Sequence, residues 1–213
     1  MKVLIACEES QEVCKAFRKT GHNAYSNDLK ECSGGRPEWH LKMDVFEAID
    51  LMQWDLIGLH PVCTKMAVSG NRHYAQGKPR YKERIAAVEW TIKLWNIACN
   101  KADMVYMENP MGVMNTDKRL PRSQIIHPYY FGDKVQKTTC LWLKGLRPLL
   151  HFESDTLFDS QTHVDKGEMI TFKSGKTMPK WYADTPSTNS EENRRIRSKT
   201  FPGIARAFAS QWG

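Results

Sequence analysis

Short apolar runs alternate with amphipathic stretches through the first two-thirds of the chain. Runs at residues 3–7, 24–27, 56–59, 104–107 and 139–143 are too short for buried helices and predict strands. Between them the pattern predicts a helix over 10–19, stopped by Gly21, and a long helix over 82–100. In the long helix Ile85, Val88, Ile92 and Trp95 recur at helical spacing and are expected to face the core. Strands alternating with helices predict an α/β fold, an open parallel sheet with helices on both faces. From residue 147 to about 195 the texture changes to Pro, Ser, Thr, Asp and Lys with isolated apolar residues, which predicts a small inserted segment. A strand at 168–172 and a turn at Ser174-Gly175-Lys176 are its readable features. The stretch 204–212, after Thr200-Phe201-Pro202-Gly203, predicts a C-terminal helix returning to the sheet. The expected organisation is a core of residues 1–146, an insert of 147–196 and a closing segment of 197–213.

Composition narrows this only a little. A chain of 213 residues with 41% hydrophobic content can bury one substantial core. Lys and Arg number 31 against 24 Asp and Glu, a formal +7, which favours a polyanionic partner without specifying one. The first apolar run turns polar at once, unlike a signal peptide, and no stretch has the length of a membrane span, so no membrane partner is expected. Six cysteines are scattered without a CxxC pair or a Cys/His knuckle. Neither a disulfide framework nor a metal site is expected, and a reducing cytoplasm fits best.

In an open α/β sheet ligands bind beyond the carboxyl ends of the strands. After the first strand comes Glu8-Glu9-Ser10-Gln11. It has no Gly-x-Gly-x-x-Gly, and two carboxylates at a helix N-terminus repel a pyrophosphate, which disfavours NAD and ATP. The same turn suits a cofactor carrying a sulfonium and an ammonium, although carboxylates are also ordinary residues of a helix first turn. Asp28 after the second strand stands where a carboxylate takes ribose hydroxyls or caps a turn, and Asp44 could accept from an adenine amino group. The fourth strand runs into His60-Pro61-Val62-Cys63-Thr64, a proline-stiffened loop able to fix a thiolate. A thiolate is a natural nucleophile for C6 of a pyrimidine, and attack there makes C5 able to take a methyl group. The fifth strand ends in Glu108-Asn109-Pro110, which puts an acid beside the same crevice for the ring nitrogen N3. Directly after the cysteine loop, Arg72, Tyr74, Arg80 and Arg84 interleave cations and aromatics as a nucleic-acid contact would, or as a solvated charged loop would.

In this order the motifs resemble the cytosine-C5 DNA methyltransferase family, its small phage and prophage versions in particular. His60-Pro61-Val62-Cys63 resembles the family's Pro-Cys loop, and Glu108-Asn109-Pro110 its Glu-Asn-Val segment. Gln136-Lys137-Thr138-Thr139 resembles its Gln-x-Arg-x-Arg strand, with Lys137 as the cation. Thr200-Phe201-Pro202-Gly203-Ile204-Ala205 resembles its closing motif. The resemblance implies a Rossmann-like fold, S-adenosyl-L-methionine as cofactor and double-stranded DNA as partner, with residues 147–196 as the recognition segment. It implies Cys63 as nucleophile, Glu108, Asn109 and Lys137 as its companions, and Glu8, Glu9, Ser10, Gln11, Asp28, Asp44, Pro61 and Thr200 around the cofactor. The chain departs from the pattern in its first motif and at Val62, where the family has proline. Three alternatives stay open: amino-group methylation, the same cysteine chemistry on a free nucleotide, and a methyltransferase fold that only binds DNA or protein.

Overall fold

The computed structural model describes residues 1–185 and 191–213, apart from the side chains of residues 191 and 194. Five parallel strands, β1 (Lys2–Ala6), β2 (Asn23–Asp28), β3 (His40–Lys42), β4 (Leu56–Leu59) and β5 (Met104–Pro110), join β6 (Gln124–Ile126) and β7 (Thr139–Lys144) in one seven-stranded sheet of order β3-β2-β1-β4-β5-β7-β6. β7 runs antiparallel to both its neighbours. The strand runs expected from the sequence are all present; β3 and β6, three residues each, are too short to register as apolar runs.

Alternation along β1 sorts the two faces. Val3 and Ile5 pack with the helices α1 (Glu12–Lys19) and α7 (Pro202–Trp212) through Phe17, Ile204 and Phe208. Leu4 and Ala6 point the other way, to α2 (Val45–Asp50) and α4 (Tyr81–Lys101), through Ile49, Ile92 and Trp95. A parallel strand covered on both faces is apolar at every position, which is why β1 and β4 read as runs rather than as alternation. α1 ends as expected: Gly21 takes φ 88°, the left-handed conformation of a helix stop. α7 opens on Pro202, whose fixed φ and missing N–H suit a first turn.

The α4 stripe departs from expectation at one residue. Ile85 is exposed, while Arg84, Thr91, Ile92, Leu94, Trp95 and Ala98 are buried. Arg84, one residue and about 100° around the helix from Ile85, faces inward and leaves Ile85 outside. A short helix, α3 (Asn71–Tyr74), precedes α4.

The segment after β7 is tied to α7 at its start: Gln211 exchanges both hydrogen bonds with the backbone of Leu150, and Trp212 Nε1 donates to Arg147 O. Further on, β8 (Met169–Thr171) and β9 (Thr177–Pro179) form a hairpin turning at Gly175, as the sequence predicts. Then α5 (Lys180–Asp184) docks on the approach to β7, where Trp181 Nε1 donates to Gln136 O, and α6 (Glu191–Ser198) leads back to α7. No helix among the described residues is long and apolar enough to cross a membrane.

Candidate active site

β4 continues into His60, whose amide still bonds Ala6 O; Pro61, with no N–H to give, ends the pairing. The loop that follows is held from several sides. Cys63 O accepts from the amides of Met66 and Ala67, Pro61 O accepts from Asn109 Nδ2 at 3.1 Å, and Val113 N donates to Met66 O. Gly112 lies so close that a Cβ there would come within 2.2 Å of Met66 O. Cys63 is thus half-buried on a braced loop between the ends of β4 and β5.

On β5 the period of two puts Tyr106 and Glu108 on one face. His60 reaches both: Nε2 lies 3.0 Å from Tyr106 Oη and Nδ1 3.3 Å from Glu108 Oε2. Gly58 makes this possible, because a Cβ there would fall 2.3 Å from the Tyr106 ring. From the other side the Phe208 and Trp212 rings of α7 pack at a tilt against that ring. Lys137, just before β7, donates to Arg197 O at 3.3 Å and lies over the Phe201 ring.

These charges act on one another. Burial pushes the Cys63 thiol up, the Glu108 charge pushes it further, and Lys137 and Arg197 only partly offset them. Burial also pushes the Glu108 carboxyl up, but the His60 hydrogen bond and the Lys137 charge outweigh it, leaving Glu108 below the ordinary carboxylate range. At neutral pH the thiol is therefore protonated and the carboxylate ionised.

At the ends of β1 and β2 the polar side chains are turned toward the protein. Glu8 is buried and accepts from Val13 N at 2.7 Å and Cys14 N at 3.2 Å, capping α1, and burial pushes its carboxyl up to about 7. Gln11 is buried against Ser26 Oγ and the backbone of Arg36; Glu9 accepts from Ser33 N; Ser10 is buried. Cys7 and Gln11 both take left-handed φ, 61° and 59°, so the turn reaches without glycine a shape that glycine adopts more readily. Asp28 accepts from Lys30 N and Asp44 caps α2 through Phe46 N, each with one carboxylate oxygen. Both charges bear on Cys7, whose thiol is pushed up to about 12 by burial first and then by them. Nearby, Asn27 Oδ1 is buried with no partner among the described residues. Two carboxylates whose charges both reach Cys7, each with one oxygen in a local bond, and a buried acceptor beside them on β2 form a donor-seeking set, which fits an adenosine bearing hydroxyls and an amine. Thr200 is buried at the approach to α7.

The basic loop is where the expectations need most correction. Arg84 is buried and donates to Lys65 O at 2.6 Å and Ala67 O at 3.4 Å, so it braces the Cys63 loop and cannot meet a phosphate. Tyr74 is buried too, under the Arg80 guanidinium, and the fork of Arg80 is engaged bidentately by Glu83. Among the described residues, Arg72 alone of the four is exposed without a carboxylate partner; its Nε donates to His73. The sequence gives no role to His60 or Tyr106, and it offers Arg197 only as the end of a basic segment, 147–197, expected on a nucleic-acid face. Arg197 stacks 3.9 Å over the Tyr182 ring, and its charge reaches Cys63. His60 was readable as the first polar residue beyond β4; Tyr106 had no sequence signal.

No family model and no curated protein matches the chain. Among solved structures it resembles the Entamoeba histolytica methyltransferase EhMeth with a TM-score of 0.50 and 12% identity, over 90% of this chain and 61% of that one. It also resembles the S. pombe Dnmt2 methyltransferase, with a TM-score of 0.45 and 12% identity over 69% of this chain and 52% of the other. A mutant of Spodoptera frugiperda DNMT2 gives a TM-score of 0.43 and 14% identity over 78% of this chain and 55% of the other. The chain therefore spans little more than half the length of these structures. At such identities the likeness is one of fold: the seven-stranded sheet with its antiparallel β7 is the Rossmann-like methyltransferase fold that the chain shares with the Entamoeba histolytica protein.

Proposed function

We propose that the chain is an S-adenosylmethionine-dependent methyltransferase that modifies C5 of cytosine in double-stranded DNA through a covalent adduct with Cys63. The observation that carries this is the placement of Cys63 on the braced loop after β4 beside the end of β5, where Asn109 bonds Pro61 O, His60 meets Glu108, and the Glu108 charge acts on the thiol. Attack on C6 requires that sulfur lose a proton and that N3 gain one. Glu108 takes the proton from Cys63 Sγ and delivers it to N3 as the Sγ–C6 bond forms, so the pair and the ring together keep their net charge. Asn109 holds Pro61, and Lys137 balances the carboxylate. S-adenosylmethionine, when bound near Asp28 and Asp44 with Thr200 beside it, supplies the electrophilic methyl group that C5 takes. The C5 proton then leaves to solvent, the Sγ–C6 bond breaks, and N3 returns its proton through Glu108 to the thiolate.

The test is mass spectrometry of nucleosides from DNA incubated with the protein and methyl-labelled cofactor. Labelled 5-methylcytosine is expected; label on an exocyclic amine, or a protein that binds no cofactor, would overturn the reading. The burial of Arg84 and the pairing of Arg80 favour a second reading, the same chemistry on a free cytosine nucleotide, since they remove two cations from the supposed DNA face. Labelling of deoxycytidine monophosphate but not of duplex DNA would select it.

A further inference from the structure

The surroundings of His60 do more than place a carboxylate near a cysteine. Its side chain is 9% exposed, and each ring nitrogen faces one protein group, Nδ1 toward Glu108 and Nε2 toward Tyr106. An ionised carboxylate only accepts, so the hydrogen between His60 and Glu108 belongs to Nδ1. A neutral imidazole then has its lone pair on Nε2, and the Tyr106 hydroxyl must donate to it. Tyr106 is suited to that task. It is fully buried, burial and the charges of Glu8 and Glu108 keep its hydroxyl protonated, and its ring is clamped between the space left by Gly58 and the aromatic rings of α7. The charged groups around the imidazole are Glu8 from the turn after β1, Glu108 from β5 and, beyond Glu108, Lys137.

We infer that His60 is a positioning residue: Tyr106 fixes its tautomer, and its Nδ1–H fixes the orientation of the Glu108 carboxylate that meets the pyrimidine. This rests on the role proposed above for Glu108. The arrangement also gives the C-terminal helix a part in the chemistry, because Phe208 and Trp212 hold the ring that orients the imidazole.

Two measurements on the full chain test it. In ¹⁵N spectra of histidine-labelled protein, neutral His60 is expected to carry its hydrogen on Nδ1, the less common tautomer, and Tyr106→Phe is expected to shift it toward Nε2. In steady-state methyl transfer, His60→Gln, whose amide extends toward the Nε2 position, is expected to lower kcat ten- to a hundredfold with KM little changed, roughly the scale of a lost orienting partner. His60→Asn, whose amide overlies Nδ1 and keeps a donor on Glu108, is expected to recover most of that loss. A neutral His60 bearing its hydrogen on Nε2 in the parent protein, or equal kcat in the Asn and Gln variants, would overturn the inference. If His60→Gln fails to fold, the tautomer of the parent still decides. A parent protein with the Nδ1–H tautomer but no methyl transfer would sink the proposed reaction while upholding the positioning.

Discussion

The turn after β1 and the loop after β4 lie at the carboxyl ends of adjacent strands, and both carry the polar residues that mark a ligand-binding edge. They use those residues in opposite ways. In the turn after β1, Glu8 and Glu9 are consumed by the amides of Val13, Cys14 and Ser33, and Gln11 by the backbone of Arg36 together with the Ser26 hydroxyl. In the loop after β4, His60 instead partners side chains from β5, and the Cys63 thiol lies in the field of charges from other segments, Glu108, Lys137 and Arg197. Polar groups satisfied by nearby backbone hold a shape; polar groups satisfied by one another across strands leave protons that can move. The first region should therefore show its importance in stability and the second in turnover.

The sharpest test of the contrast is Cys63→Ser, expected to lower methyl transfer by about three orders of magnitude or more, as loss of a nucleophile does, with thermal stability nearly unchanged. Cys99→Ser, in α4, should leave transfer intact under the same assay. Next, Glu108→Gln should cut turnover about a hundredfold with cofactor affinity by calorimetry unaltered. The same variant should make Cys63 react faster with iodoacetamide at neutral pH, since it removes a charge that holds the thiol protonated. A Glu108→Gln protein with parental turnover would dissolve the distinction between the two regions.

On the other side, Glu8→Ala should destabilise the fold by about 2–3 kcal/mol in chemical denaturation, because two amides at the start of α1 lose a buried acceptor. Glu8 also has a pH signature. Its carboxyl is raised from 4.5 to about 7, so the folded protein binds more protons than the unfolded chain across that interval. Its contribution is complete below the lower value and is lost as pH rises through the upper one, about 3 kcal/mol in all. Glu8→Gln should flatten that slope, and denaturation curves at pH 5 and pH 8 would read it. The smallest effect distinguishes bracing from binding: Arg84→Met should loosen the Cys63 loop and cost about 1–3 kcal/mol of stability. It should leave the salt dependence of DNA binding unchanged, because a buried guanidinium releases no counterion. A reduced salt slope in that variant would return Arg84 to the DNA face.

The α/β fold, the main strands, the hairpin near Gly175 and the closing helix were legible in the sequence because each rests on local signals: apolar runs, glycine at stops and turns, a polar-to-amphipathic change of texture. The cysteine and the carboxylate were legible because strand ends are predictable and polar residues just beyond them are few. Pairwise partnerships were not. That Arg84 turns inward to the carbonyls of Lys65 and Ala67 while Arg72 stays exposed, or that His60 meets Tyr106 and Glu108, follows from distances between separate segments of the chain. Tyr106 reads in the sequence as one more residue of a buried strand. It becomes the partner of His60 only because Gly58 on the neighbouring strand leaves space for its ring and α7, a hundred residues later, closes over it. Hydrophobic periodicity specifies which face of each element is buried. Which polar groups meet once those faces are buried depends on register between strands, and that exists only in the folded chain.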